Sequence, residues 1–304
     1  MTLKDVKRAP VAIGGLGGSG TRVVAQILMD CGYYMGQDLN VSNDNLWFTV
    51  LLRRPLWFSS LQNAQKYDEI YQALNIFQRL MLGGATLLRA NDWAFINRAE
   101  DELSATEQDG RLWTWPRTWL EERRANMMKA EQADLNTFRG WGWKEPNTHV
   151  FLPYAVRYFE DIKYIHVIRH GLDMAYSTNH AQLYNWGHLY GVELADYDTA
   201  RLPRASLLYW YRANARAFEN QTILADRFLV LNFDQLCASP PSEIKKLLHF
   251  LELDDTEVDI DHLVSLPVTP SSTNRYKTQD LSIFTSNDLA VVQQLGFVAE
   301  VQEN

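Results

Sequence analysis

A run of glycines between an apolar segment and an amphipathic one restricts the fold of this chain more than any other feature. The apolar segment spans residues 10–14, and glycines are dense from 14 to 20. In the segment that follows, apolar residues recur at helical spacing, and Gly32 stands where a helix would end. A strand, a glycine loop and a helix in this order predict an α/β protein whose loop surrounds an anion with backbone N–H groups.

Strand-like and helical segments alternate again in the second half of the chain. Residues 164–168 and 228–233 have the composition of buried strands, and residues 172–183 have a helical pattern. Between about 53 and 140 the pattern is helical and rich in tryptophan and arginine. We therefore predict one domain, residues 1–304, with a parallel sheet flanked by helices, a P-loop-like three-layer core and a Trp-rich helical insertion or cap.

Composition excludes several classes of protein. The net charge of −8 argues against a nucleic-acid binder, so an anionic ligand has to be held by a local cluster of basic residues. No stretch approaches the eighteen consecutive apolar residues typical of a membrane span. Cys31 and Cys237 lie in unrelated contexts, and the first ten residues lack the apolar core of a signal peptide. These features predict a cytoplasmic protein.

The glycine loop departs from the nucleotide-hydrolysing pattern. It has the Gly-x4-Gly frame, but Thr21 and Arg22 stand where that pattern has lysine and then serine or threonine. The same glycines also satisfy the Gly-x-Gly-x-x-Gly spacing of dinucleotide-binding proteins. That alternative requires an acidic residue at the end of a second strand, and Asp38 lies in a segment with poor strand composition. The glycine spacing therefore leaves the hypothesis of a dinucleotide-binding protein open.

A second candidate anion site lies at the end of the strand at 164–168. Arg169 follows this strand directly, and Ser177 lies eight positions later on the predicted helix. Both side chains can turn toward a ligand in the crevice above the sheet. In the alternative, Arg169 pairs with Asp173 and Ser177 only fills space.

Together these motifs resemble those of the PAPS-dependent sulfotransferases, which transfer a sulfuryl group from 3′-phosphoadenosine 5′-phosphosulfate (PAPS). In that family a loop ending in Ser-Gly-Thr holds the phosphosulfate and an Arg-x7-Ser element holds the 3′-phosphate. The similarity extends over residues 10–32 and 141–300 and leaves out the insertion. The matching segments are GGSGTR at 17–22, WKEP at 143–146, VIRHGLDMAYS at 167–177 and LNFDQLCASPPSEIKKLLHFLEL at 231–253.

The resemblance implies a set of donor-binding residues and no metal. Arg169 and Ser177 would bind the 3′-phosphate, and Arg275 resembles the late basic residue that closes over the nucleotide. The phosphosulfate would be bound by the loop residues Gly17, Gly18, Ser19, Gly20, Thr21 and Arg22.

One position departs from the family pattern. Most members have Lys or Arg just before Ser-Gly-Thr, at the bridging oxygen of the leaving phosphate, and this chain has Gly18. Arg22 and Lys144 are the available replacements, and we favour Lys144. Two rival hypotheses stay open. One is another phosphate-loop enzyme that uses ATP, against which Thr21 in place of the lysine argues; the other is a nucleotide-binding module without catalytic activity, which Gly18 keeps possible.

The acceptor side of the site is less constrained. Some branches of the family use His as the general base and others use Glu. We favour Asp44, because the carboxylate-using branches place their base after the first helix, and Asp38, Glu145 and His149 are the alternatives. The acceptor would be a hydroxyl or amine of a small molecule or carbohydrate. Tryptophans in the insertion either stack on such a ring or pack the cap.

Overall fold

The computed structural model of the chain describes residues 9–104 and 113–298, and a parallel sheet lies at the centre of this part. The strand order is β2-β3-β1-β4-β5, and every neighbouring pair is parallel, as the sequence predicted. The strands are β1 (Val11–Gly15), β2 (Tyr33–Tyr34), β3 (Gly140–Lys144), β4 (Lys163–Ile168) and β5 (Phe228–Asn232).

Helices separate and follow the strands. The first seven are α1 (Thr21–Asp30), α2 (Leu46–Leu52), α3 (Pro55–Ala64), α4 (Asp68–Gly83), α5 (Ala90–Ser104), α6 (Arg117–Met128) and α7 (Thr148–Tyr158). The others are α8 (Gly171–Ala175), α9 (Ala181–Trp186), α10 (Leu202–Phe218), α11 (Gln221–Leu224), α12 (Phe233–Ala238), α13 (Pro240–Leu251), α14 (Ile260–Ser265) and α15 (Ser286–Gln294). Short 3-10 turns lie at Ala85–Leu87, Gly187–Tyr190, Leu194–Asp196, Thr199–Arg201, Ala225–Arg227, Asp255–Glu257 and Arg275–Thr278.

Apolar residues cover both faces of the sheet, which makes three layers. Successive side chains of a strand point to opposite faces. In β1, Val11 and Ile13 pack in a cluster with residues of α1 and α13. Ala12 belongs to the cluster on the opposite face, with residues of α2, α4, α7 and α10. The α/β architecture predicted from the sequence is therefore confirmed.

The segment predicted as an insertion is helical in the part that the structure describes. Four helices of the described residues, α3 to α6, lie within this segment, and α2 directly precedes it. Trp47 of α2 and Trp143 of β3 are fully buried, whereas Trp113, Trp115 and Trp119 are only partly buried. The tryptophans thus divide into core residues and residues near the surface. The boundaries of the insertion, and the chain's organisation as one domain, remain predictions.

The order of the strands brings the glycine loop between two other strand ends. β1 runs into the loop, and α1 begins at Thr21, as predicted. Ile13 is paired with Lys144 of β3, and Gly15 is paired with Val167 of β4. Because parallel strands end at the same edge of a sheet, this register places the loop beside the ends of β3 and β4.

One predicted helix is wrong in its extent. Residues 172–183 form two helices, α8 and α9, with a turn between them. In this turn the Ser177 hydroxyl accepts a hydrogen bond from the Asn179 N–H (3.1 Å), and the Asn179 side chain accepts one from the Ala181 N–H (3.3 Å). Such bonds from short polar side chains compete with helical backbone bonds. Ser177 therefore lies in a turn and not on a helix.

Candidate active site

A cavity of about 390 Å³ lies at the carboxyl edge of the sheet, next to the glycine loop. We call it the loop cavity; Gly17, Gly18, Gly20 and Thr21 form part of its wall. Among the described residues that line it, Asp44 is the acidic one. The basic side chains of its wall are Arg22, Arg53, Lys144 and Arg169. A chain with a net charge of −8 thus concentrates positive charge around one cavity, which suits an anionic ligand.

The glycine loop is held in one conformation and still has an unused donor. Gly17 N–H donates to Gln182 Oε1 at 2.6 Å, and Ser19 N–H donates to Leu16 O at 3.0 Å. The Ser19 side chain is buried, and its hydroxyl has no hydrogen-bond partner within the described residues. Buried hydroxyls without a partner are rare in folded proteins. A ligand oxygen in the loop would provide one.

Gly20 has a backbone and a neighbour that both require glycine. Its φ is +96°, in the left-handed region, and a Cβ atom there would lie 2.1 Å from the ring of Phe233. Gly18 also has a positive φ, +93°, but a Cβ there would meet only Met174, at 3.8 Å. A side chain at position 20 is thus excluded by the ring of Phe233 as well as by the backbone angle, whereas at position 18 only the backbone angle disfavours a side chain.

Lys144 and Asp44, which the sequence suggested as cation and base, are direct partners. Lys144 Nζ forms an ion pair with Asp44 Oδ1 and donates to Ser42 O at 2.9 Å. The second carboxylate oxygen of Asp44 accepts a bond from Asn40 Nδ2 at 2.9 Å. Lys144 is 2% exposed, so its charge is shielded from water and directed toward Asp44 and the loop cavity.

A chain of hydrogen bonds joins the glycine loop to Arg53. Gln182, which accepts from Gly17 N–H, donates through Nε2 to Asn147 Oδ1 at 2.8 Å. Asn147 donates through its backbone N–H and its side chain to Glu145, at 2.6 and 2.9 Å. Glu145 in turn pairs with Arg53 at 3.2 Å. Burial raises the pKa of Glu145, and the charge of Arg53 opposes that rise.

The sequence reasoning did not identify Arg53, Asn147 or Gln182 as site residues. Asn147 directly follows the WKEP segment, and Gln182 lies just beyond the Arg-x7-Ser element, so proximity to a motif was the available signal for both. Arg53 lies in the insertion, outside every matched motif.

The other base candidates are not among the residues that line the loop cavity. His149 is buried, with Nδ1 2.8 Å from Pro146 O, and burial lowers its pKa to about 3. Asp38 is buried and pairs with Arg123 at 2.9 Å, and burial raises its pKa. Glu145 is 0% exposed and faces Asn147 and Arg53. Of the four candidates, the structure brings Asp44 to the wall of the loop cavity.

Arg169 lines the loop cavity and has only weak links to carboxylates. Its distance to Asp173 is 3.9 Å and to Asp234 is 3.8 Å, both too long for a hydrogen bond. Its Nη2 donates to Ser272 Oγ at 3.0 Å, while Nε, the atom that faces Asp234, has no hydrogen-bond partner within the described residues. Asp173 instead accepts from Asn274 N–H at 2.8 Å. Arg169 and Asp173 thus form a long ion pair without a hydrogen bond, and the alternative in which they are partners stays open.

Arg275 and Ser177 lie near the loop cavity but outside its wall. Arg275 Nε donates to Ser272 O at 3.1 Å, so it shares this residue with Arg169. Burial, and then the charge of Arg169, lower the pKa of Arg275, which indicates that the two guanidinium groups are close. Ser177 bonds to the N–H of Asn179, which is part of the wall.

The parallel sheet, the glycine loop and the cluster of basic residues define an α/β protein of the P-loop-like class with a positively charged cavity at the carboxyl edge of its sheet. The model of the sulfotransferase family matches residues 10–257. The chain therefore belongs to the sulfotransferase family, as the resemblance implied.

Solved structures of sulfotransferases are similar to the chain at low sequence identity. A sulfotransferase domain from the olefin synthase of Synechococcus PCC 7002 is 13% identical, with a TM-score of 0.47, over 97% of this chain and 98% of that one. A domain from the curacin biosynthetic pathway is 14% identical, with a TM-score of 0.46, over 97% and 100%. A sulfotransferase of Mycobacterium tuberculosis H37Rv is 16% identical, with a TM-score of 0.42, over 86% and 72%. No curated protein matches the sequence.

Proposed function

We propose that the protein transfers the sulfuryl group of PAPS to a hydroxyl or amine of a small-molecule or carbohydrate acceptor. Membership of the sulfotransferase family implies sulfuryl transfer. The donor is inferred from one observation above all: a single cavity combines the glycine loop, four basic side chains and Asp44.

Donor binding is assigned to two groups of residues. The amides of the glycine loop and the hydroxyls of Ser19 and Thr21 would bind the phosphosulfate at the N-terminus of α1. Arg169 would bind the 3′-phosphate, with Ser177 and Arg275 beside it. Arg169 Nε and the Ser19 hydroxyl support this assignment, because each is a buried donor that has no hydrogen-bond partner within the described residues and that a ligand oxygen would satisfy.

The transfer step requires positioning and neutralisation of charge. The acceptor oxygen or nitrogen attacks sulfur in line with the bond to the phosphate oxygen. As the new bond forms, the old sulfur–oxygen bond breaks and its electron pair leaves with the phosphate of the product nucleotide. Negative charge grows on that oxygen, as it does on the leaving group in phosphoryl transfer. Lys144 is the proposed cation there, with Arg22 as the alternative.

Asp44 is the proposed acceptor of the proton. A carboxylate has about four lone-pair positions, and Lys144 and Asn40 use two of those on Asp44. The remaining positions can accept the proton of a hydroxyl or amine. The ion pair with Lys144 holds the carboxylate in place, and it also brings the base next to the cation that serves the leaving group.

Calorimetry with Arg169→Ala tests the donor assignment. We expect the variant to bind 3′-phosphoadenosine 5′-phosphate more weakly by about 2–5 kcal/mol, because a buried cation opposite the 3′-phosphate is lost. Its affinity for adenosine 5′-phosphosulfate, which lacks this phosphate, should barely change. Arg157→Ala, at an exposed arginine of α7, is the matched control. Equal losses for both ligands would contradict the assignment, and tighter binding of ATP or NAD to the unaltered protein would contradict the donor.

A further inference from the structure

A second cavity, of about 350 Å³, lies between α2 and the residues that lead into α6. We call it the tryptophan cavity, because Trp115 and Trp119 form part of its wall. Their ring centroids are 5.2 Å apart, with an angle of 75° between the planes, so the wall presents indole surfaces in two orientations. The volume is sufficient for a ring system of moderate size.

Two connections join the tryptophan cavity to the loop cavity. Arg53 lines both of them. Asn40 lines the tryptophan cavity and donates to Asp44, which lines the loop cavity, at 2.9 Å. A molecule in the tryptophan cavity would therefore lie close to the proposed base.

Arg53 occupies a fixed position at this junction. Its guanidinium lies 4.4 Å from the ring centroid of Trp113 and 4.6 Å from that of Trp115, and it pairs with the fully buried Glu145 at 3.2 Å. Its Nε is buried without a hydrogen-bond partner within the described residues. Arg53 Nε is thus a hydrogen-bond donor between the two cavities, and an oxygen of the acceptor or of the transferred group could accept its bond.

Two polar side chains of the tryptophan cavity, Asn40 and Thr49, are committed to hydrogen bonds within the protein itself. Asn40 donates to Asp44 and accepts from the N–H groups of Ser42 and Asp44. Thr49 Oγ1 donates to Asn45 O at 3.3 Å. Within the described residues, Thr114, Arg53 Nε and the indole N–H groups of Trp115 and Trp119 have no such internal bond. A buried sugar needs a partner for each hydroxyl, whereas a flat aromatic ring does not.

We propose that the tryptophan cavity is the acceptor site and that it takes an aromatic ring, whose hydroxyl or amine points toward Asp44 at the junction. The proposal rests on the proposed function for the identity of the reaction, but the binding site itself can be tested without turnover. Trp115 and Trp119 supply the aromatic surfaces, and Arg53 separates the ring from the loop cavity.

The test compares two model acceptors that carry a hydroxyl: 2-naphthol, which is a flat aromatic alcohol, and methyl glucoside, which is a sugar. Calorimetry in the presence of saturating 3′-phosphoadenosine 5′-phosphate measures the affinity for each compound. We expect 2-naphthol to bind the unaltered protein at least about 10-fold more tightly than methyl glucoside. Trp119→Ala should weaken 2-naphthol by about 10-fold or more and Trp119→Phe by much less, with product-nucleotide affinity unchanged in both.

Trp93→Ala is the matched control, because this partly buried tryptophan of α5 lines neither cavity. It should leave the binding of 2-naphthol unchanged. Preferred binding of methyl glucoside, or equal effects of Trp93→Ala and Trp119→Ala, would overturn the proposal. If the unaltered protein does not bind 3′-phosphoadenosine 5′-phosphate, the proposed donor is wrong. Binding of 2-naphthol that depends on Trp119 would still support the acceptor site in that case.

Discussion

At the scale of single residues, the position before Ser19 shows how conformation restricts chemistry. The backbone of Gly18 has a φ of +93°, and a lysine or arginine residue adopts this angle only with strain. A cation restored at this position, as in the family pattern, would therefore disturb the loop. Lys144, at the end of the neighbouring strand, offers a charge without this cost, because its backbone is part of a regular sheet.

Lys144 and Asp44 should behave as one catalytic unit. Lys144→Met, which keeps the length of the side chain, should lower kcat at least about 100-fold with a much smaller effect on product-nucleotide affinity. Asp44→Asn should lower kcat on an alcohol acceptor by about 10²–10⁴. Because the two groups are in contact, the double variant should lose less than the product of the single losses. Steady-state kinetics of the four proteins measures this.

Arg22→Ala is the comparison that separates the two candidate cations. Arg22 is exposed on the first turn of α1 and also lines the loop cavity. We expect its removal to have a smaller effect on kcat than removal of Lys144. Normal turnover in Lys144→Met together with an inactive Arg22→Ala would assign the cation to Arg22.

At the scale of elements, the glycine loop depends on the helix that follows β5. Phe233, the first residue of α12, lies so close to Gly20 that no side chain fits between them. α9 also holds the loop, since Gln182 accepts from Gly17 N–H. The loop is thus shaped by two elements that are distant in sequence, in addition to its own glycines.

Gly20→Ala and Gly296→Ala should separate steric exclusion from backbone strain. Both glycines have a positive φ, +96° and +86°, but a Cβ at Gly296 would meet nothing within 4 Å. We expect Gly296→Ala to lower the free energy of unfolding by about 1 kcal/mol, from backbone strain alone. Gly20→Ala should cost about 1–3 kcal/mol more, because Phe233 has to move. Denaturant unfolding gives both values, and equal losses would show that Phe233 moves freely.

At the scale of the whole molecule, charge is unevenly distributed. The chain carries a net charge of −8, yet the wall of the loop cavity is positively charged. Within the ranges 9–104 and 113–298, no helix has the length and apolar character needed to cross a bilayer.

Buried titratable groups in the core make the stability of the molecule depend on pH.

His166 and His149 are buried in neutral form, and this should destabilise the protein in mild acid. Burial lowers the pKa of His166 to about 4 and that of His149 to about 3, from an ordinary value of 6.5. Above pH 6.5 neither the folded nor the unfolded chain protonates them. Between pH 6.5 and about 4 only the unfolded chain gains these protons, so stability falls by about 1.4 kcal/mol per pH unit for each histidine.

His166→Gln should therefore flatten the pH dependence of stability by about 1.4 kcal/mol per pH unit between pH 6.5 and 4. Denaturant unfolding of both proteins at several pH values in this window measures the difference. The carboxyl groups of Glu145 and Asp38, which are buried, and of Asp234, which is partly buried, have raised pKa values and act in the opposite direction, but both proteins contain them. Parallel pH profiles would show that His166 becomes protonated in the folded protein.

Local patterns in the sequence determined the framework of this protein. The strand, glycine loop and helix around residues 11–30 and the parallel sheet were predicted correctly, because each depends on the periodicity of adjacent residues and on glycine's freedom at positive φ. The motifs also identified the family. Arg169 was proposed because it directly follows a strand, and Lys144 because the WKEP segment resembles the family's Lys-x-Pro element; both lie at the edge where the parallel strands end.

Tertiary structure alone decided which side chains meet. Lys144 and Asp44 are 100 positions apart, and their ion pair depends on how the segment after β2 returns across the end of β3. Arg53 belongs to both cavities through packing against Glu145 and two tryptophans that no motif includes. The break after α8 depends on competing hydrogen bonds of Ser177 and its neighbours. Periodicity reports which face of an element is buried, whereas these contacts depend on the three-dimensional arrangement of elements far apart in the chain.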